Sequence, residues 1–168
     1  MSTNGCWGFR VGGIDKLVYN HHDSYPRRLG QEFVGELRAL APDSESLHRL
    51  ARGLIMVPAT MKTQLCGSPT KILERLVATD YSDFLYSPAC EWAYIVNVDT
   101  AKFEVYEGCV KQGRGRYRIT DEFLALRALA NEWRWTSTLL AEFPVFGIPE
   151  DWVEVVDAQF LLTQKGVR

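Results

Sequence analysis

Residues 90–108, CEWAYIVNVDTAKFEVYEG, decide the fold class. Two alternating runs rich in Tyr, Ile, Val and Phe flank a polar break at Asp99-Thr100. Alternation with a period of two sends successive side chains to opposite faces of a sheet, so the stretch predicts an antiparallel hairpin. The same signal recurs at the start of the chain. Residues 6–11, CWGFRV, are followed by Gly12-Gly13 and then by IDKLVYN. Two glycines in succession supply the positive-φ pair that a two-residue hairpin turn favours. In the second strand of that hairpin Ile14, Lys16, Val18 and Asn20 share one face, and Asp15, Leu17, Tyr19 and His21 share the other.

Helical patterns fill the space between and after the hairpins. Leu29, Phe33, Leu37 and Leu40 form one apolar stripe, which Ala41-Pro42-Asp43 stops. Asp43 or Ser44 can cap a second helix over ESLHRLARGLIMV, ending before Pro58. Ser68-Pro69 is a start signal for a third helix with Ile72, Leu73, Leu76 and Val77 on its buried side. Past the second hairpin, Tyr117-Arg118-Ile119 predicts a strand. Thr120 is placed to cap a helix through Phe123, Leu126, Ala130 and Trp133. In IPEDWVEVV, proline and acids stand where a last helix would start, although the valines leave a strand open. Hairpin, helices, hairpin, helices is the order of an α+β domain: an antiparallel sheet built from hairpins, with helices packed on it. No repeat or linker divides the chain, and residues 1–168 read as a single domain.

Bulk properties narrow the function classes. The chain has 168 residues, 46% of them hydrophobic, with a formal charge of −2. That balance gives no whole-molecule attraction to nucleic acid or to an anionic membrane, so general nucleic-acid binding is not expected and an anion site would have to come from local clustering. No apolar stretch of about 18 residues is present to cross a bilayer. Cys6, Cys66, Cys90 and Cys109 lie far apart, with no Cys-x-x-Cys pair. They read as free thiols of a reducing cytoplasm, and no metal or cofactor set is expected.

The densest chemistry is YNHHDSYPRR, residues 19–28. It falls between a strand end and a helix start, where a rigid scaffold aims loop side chains. Arg27 and Arg28 stand where helix-start amides attract anions and a guanidinium fork binds two phosphate oxygens. With Arg10 on the neighbouring strand they would make an anion pocket roofed by Tyr19 or Tyr25. Asn20, His22 and Asp23 would read polar edges of the ligand. Asp23 could equally orient His21 or His22 as a general base, or simply start a turn. A second basic stretch, KQGRGRYR, gathers Lys111, Arg114, Arg116 and Arg118 beside Tyr117. It matches no phosphate-loop or dinucleotide fingerprint and reads as a hairpin tip carrying solvated charge. Cys6 would be a nucleophile only if the first five residues were removed, freeing an α-amine as base. His48 reads as a partly buried surface residue.

The opening, GCWGFRVGGIDKLVYNHHDSYPRRLG, resembles a group of small uncharacterised bacterial and phage proteins that begin with Gly-x-x-Gly-Phe-Arg and then Tyr-Asn-His-x-Asp-Ser-Tyr-Pro. The likeness extends loosely to the hairpin around residue 99 and brings no activity with it. In the order of its elements the chain is also similar to the layered N-terminal nucleophile hydrolases. That likeness implies an exposed first-residue nucleophile, which the chain as written lacks.

These readings converge on a non-catalytic binding protein for an anionic small molecule of nucleotide type. Sequestration of a host defence signal is the specific form that the phage resemblance implies. The alternatives are an amide hydrolase using Cys6 and a protein–protein inhibitor or structural subunit. The sequence is compatible with a homo-oligomer.

Overall fold

The computed structural model describes residues 3–59, 65–87, 89–111 and 135–164. In chain order these form β1 (Gly5–Val11), β2 (Ile14–Asn20), a wide helical turn Pro26–Gly30, α1 (Gln31–Leu40), α2 (Ser44–Gly53) and β3 (Ile55–Val57). There follow α3 (Pro69–Arg75), β4 (Val77–Thr79), a tight helical turn Ser82–Tyr86, β5 (Trp92–Asn97) and β6 (Lys102–Lys111). β7 (Trp135–Pro144), a short turn and α4 (Trp152–Gln164) complete the described chain.

Both expected hairpins form. β1 and β2 pair antiparallel through Gly12 and Gly13, at φ 60° and 74°, and β5 pairs antiparallel with β6. The five-stranded sheet has the order β2-β1-β5-β6-β7, with β1 and β5 running parallel. That one parallel pair sets the two hairpins side by side and brings Trp7 opposite Tyr94. Strand alternation then sorts the sheet into two faces. Trp7, Phe9, Val18, Tyr94, Val96 and Phe103 enter the larger core with the helices, while Cys6, Leu17, Ala93, Ile95 and Tyr106 form a smaller cluster on the opposite face. The fold is α+β, as the order of elements predicts. Asp99 at the second hairpin's turn accepts the N–H groups of Gly12 and Gly13 at 2.8 and 2.9 Å, clasping the two turns together. Those bonds hold its carboxyl below the usual aspartate range.

The helix face is filled by α1, α2, α3 and α4. Phe33 packs its ring 4.9 Å from Trp7, and Trp152 meets Phe103 edge-on at 5.3 Å. Leu29, Phe33 and Leu37 are buried as the stripe requires, but Leu40 at the helix end is exposed. Asp43 caps α2, exchanging hydrogen bonds with Ser46. The free edge of β2 is covered: Leu17 and Tyr19 carbonyls accept from the N–H groups of Tyr81 and Gly67. Covering an edge in this way removes a template for unwanted strand pairing.

Three expectations from the sequence need correction. The second helix does not reach Pro58. It stops at Gly53, where the Lys16 ammonium donates to the carbonyls of Ala51, Arg52 and Leu54 at 2.9, 3.2 and 2.8 Å. Three donors thus satisfy carbonyls that a helix end leaves open. Residues 55–57 become β3, paired parallel with β4. Val77 correspondingly begins β4, because Leu76 takes a left-handed conformation that ends α3. Residues 135–144 form a strand that the sequence reading did not assign, and residues 152–164 settle as a helix. The strand at 117–119, the helix at 120–133 and the basic residues Arg114, Arg116 and Arg118 lie outside the described residues.

Gly30 is the point of closest approach between the wide turn and the sheet. A Cβ there would lie 2.7 Å from Trp152 Cη2 and 2.9 Å from Tyr94 Cε1. Helix propensity alone would favour Gly30→Ala by about 0.5–1 kcal/mol. Overpacking two rigid buried rings costs roughly 1–3 kcal/mol, so the clash wins. We expect Gly30→Ala to lower the denaturant midpoint with an unchanged slope; a raised midpoint would show that the turn is not pressed against the rings.

Candidate functional site

The loop after β2 is held by a compact set of hydrogen bonds. Asn20 Nδ2 donates to the His22 carbonyl and, at 3.0 Å, to Ser24 Oγ. Ser24 is fully buried; its N–H donates to the Thr3 carbonyl at 3.2 Å, and its own carbonyl accepts from the Tyr94 hydroxyl at 2.9 Å. Burial pushes the Tyr94 phenol well above its ordinary pKa, so it remains a donor. With Ser24 tied down at the sheet, the chain must arch outward. Asp23 adopts a positive φ of 53°, which aspartate tolerates better than most residues. Pro26 then opens the wide turn, in which the Tyr25 carbonyl accepts from the N–H groups of Arg28 and Gly30.

This arch borders a solvent-facing hollow of about 350 Å³. Asn20, His22, Asp23, Arg27 and Arg28 line it, so five of the eight expected site residues meet there. Leu29, Glu32 and Ser68 complete the lining and were not among the expected residues. Glu32 stands one helical turn beyond Arg28, a spacing visible in the sequence. Ser68 arrives from the start of α3, which no local pattern could announce. Its hydroxyl does not cap α3. α3 is instead fastened to α1 by Thr70, whose N–H and hydroxyl donate to Glu32 Oε1 at 3.3 and 2.9 Å, with Glu36 also accepting from the hydroxyl.

The charges of the hollow differ from the expectation of a positive concavity. Arg27 turns toward α4 and binds Glu154 and Asp157 at 3.1 and 2.8 Å. Those bonds, Asp157 first, raise its pKa and commit its charge. Arg28 has no ion-pair partner among the described residues. Two arginines face Asp23 and Glu32 in the lining itself, and the two acids on α4 stand behind Arg27. The hollow is therefore mixed in sign, with one uncommitted guanidinium.

Three expected residues are not brought to the hollow. Arg10 lies on the opposite face of the sheet, bound to Asp15 at 2.7 Å and to Glu104 at 3.0 Å. Glu104 there also accepts from the hydroxyl of Tyr106 at 2.5 Å and the amide of Asn97 at 3.0 Å. Burial raises the Asp15 carboxyl despite its guanidinium partner. Tyr19 shares that face; its hydroxyl lies 2.7 Å from His21 Nδ1, and its ring packs 4.7 Å from Phe84. Tyr25 is 42% exposed, at the start of the wide turn, and does not line the hollow. His48 is half-buried, with Nδ1 2.8 Å from the Ser44 carbonyl.

Cys6 is fully buried inside β1, its sulfur 4.0 Å from Cys90 Sγ. The contact with Cys90 and then burial push its thiol well above the usual range, away from the nucleophilic thiolate. Its neighbour Gly5 pairs with Asn20 on one side and Trp92 on the other. Among the described residues Cys6, Cys66 and Cys90 form no disulfide, and no group of three or more His, Cys, Asp or Glu could hold a metal ion. No helix among them is long and apolar enough to cross a membrane.

No family model matches the chain, and no curated protein or solved structure matches it. The geometry of Cys6 generates its own test. In the native protein, Cys6 and Cys90 should resist a soluble alkylating reagent while half-buried Cys66 reacts, with mass spectrometry reporting each position. Alkylation of Cys6 before Cys66 would restore a catalytic thiol to consideration.

Proposed function

We propose that the protein binds a small anionic molecule of nucleotide type in the hollow at the head of α1 and performs no chemistry on it. One observation carries the reading. Five polar residues from a nine-residue segment converge on one hollow, fixed by buried hydrogen bonds, with the Arg28 guanidinium uncommitted. A guanidinium fork suits phosphate oxygens; the helix-start amides expected from the sequence do not add to it, because those of Arg28, Leu29, Gly30 and Gln31 already donate to carbonyls of the loop and turn. The volume of about 350 Å³ falls at the lower end of small-molecule sites, which span roughly 300–1,000 Å³. It fits one mononucleotide better than a cyclic or linear dinucleotide. Sequestering a signal nucleotide of that size would need nothing beyond such a site.

On this reading the two arginines have unequal roles. Arg28 is the phosphate ligand, whereas Arg27 braces the wide turn against α4. Calorimetric titration with a panel of nucleoside 5′-monophosphates and inorganic phosphate tests this. We expect Arg28→Ala to weaken the tightest-binding member about tenfold to a hundredfold, the range for a charge-assisted hydrogen bond of about 1.5–3 kcal/mol. Arg27→Ala should change affinity far less. Unchanged affinity in Arg28→Ala, or no binding of any panel member to the wild type, would overturn the reading.

A further inference from the structure

The hollow presents unpartnered acceptors as well as the Arg28 cation, and this bears on which nucleotide it takes. Asn20 is 9% exposed and lines the hollow. Its Nδ2 points at two acceptors, the His22 carbonyl and Ser24 Oγ, which fixes the amide's orientation and leaves Oδ1 without a hydrogen-bond partner among the described residues. Glu32 has one oxygen, Oε1, held by the N–H and hydroxyl of Thr70, while Oε2 has no hydrogen-bond partner among the described residues. The Asp23 carboxylate likewise makes no bond with any described residue. Against these stands Arg28 as the uncommitted cation. A ligand offering only acceptors would leave the Asn20 and Glu32 oxygens desolvated and unpaired, which is unfavourable for each group.

We infer that the hollow selects a guanine nucleotide, with Glu32 Oε2 and Asn20 Oδ1 accepting from the adjacent N1–H and exocyclic amine of the base. This rests on the mononucleotide reading above. Guanine carries those two donors side by side on its Watson–Crick edge. Adenine places the acceptor N1 beside its amine and would set a lone pair against a carboxylate oxygen. Hypoxanthine keeps N1–H but lacks the amine. A site built to accept a hydrogen bond rejects an analogue that lacks the donor, because its own buried acceptor is then left bare. Thr70 acts as a positioning residue, holding the Glu32 carboxylate in place from the start of α3.

Calorimetric titration of the wild-type protein with GMP, IMP and AMP decides the matter, because GMP and IMP differ only at the exocyclic amine. The expected result is GMP binding at least roughly tenfold tighter than IMP, with AMP weaker than GMP. In Glu32→Gln, which keeps the side-chain shape and can still accept from Thr70, the gap between GMP and AMP should narrow severalfold. Equal affinities for GMP and IMP, or tighter binding of AMP, would overturn the base assignment and leave the phosphate site standing. Failure of all three to bind would overturn the site itself and the base assignment with it. The GMP–IMP comparison uses no variant, so a Glu32→Gln protein that failed to fold would not remove the test.

Discussion

The loop that forms the hollow depends on Ser24. Its side chain and both of its backbone polar groups are fully buried against the sheet, and each has a partner: Asn20, Thr3 and Tyr94. Buried backbone groups without partners are costly, so this set of bonds must close as a unit or not at all. Closing it pins the chain at the point where β2 ends. The residues on either side are then displayed rather than buried, and the arch of His22, Asp23, Arg27 and Arg28 follows from that single anchor.

The anchor works only because the sheet brings Tyr94 to it. Tyr94 belongs to the second hairpin and Ser24 follows the first; the parallel pairing of β1 with β5 sets them together. Gly30 lets the wide turn lie directly on Tyr94 and Trp152, which fixes where α1 begins and so where Arg28 and Glu32 point. Sheet register, a missing side chain and a buried hydroxyl thus act in series on one small piece of surface.

Both hairpins were legible in the sequence because each carries its own alternation and its own turn. Their parallel association was not, since nothing local to residues 5–11 specifies a partner near residue 92. β7 escaped notice for a different reason. Its register shifts against β6 between Val105 and Tyr106, which face Ala141 and Leu139, so Leu140 interrupts the alternation that marks a strand. β3 is three residues long and continues the apolar pattern of α2, too short to show a period of its own. At the site, the loop motif was readable as a cluster, but strand parity should have separated Arg10 and Tyr19 from it. Both share the face of Leu17, whereas Asn20 shares that of Val18. Arg27 sits in the hollow as read, yet its charge is answered by α4, some 127 residues on, which no local pattern shows.

That capture of Arg27 changes the hollow from a positive cradle to one of mixed sign, in which the direction of each hydrogen bond counts for more than net charge. Amide hydrogen exchange in the wild type and in Tyr94→Phe tests the underlying claim most directly. In the wild type the Ser24 amide should be protected to a degree approaching that of β5, and Tyr94→Phe should speed exchange across residues 22–30 while β5 and β6 keep their protection. A Ser24 amide exchanging freely in the wild type, or unmoved by loss of the Tyr94 hydroxyl, would contradict the account.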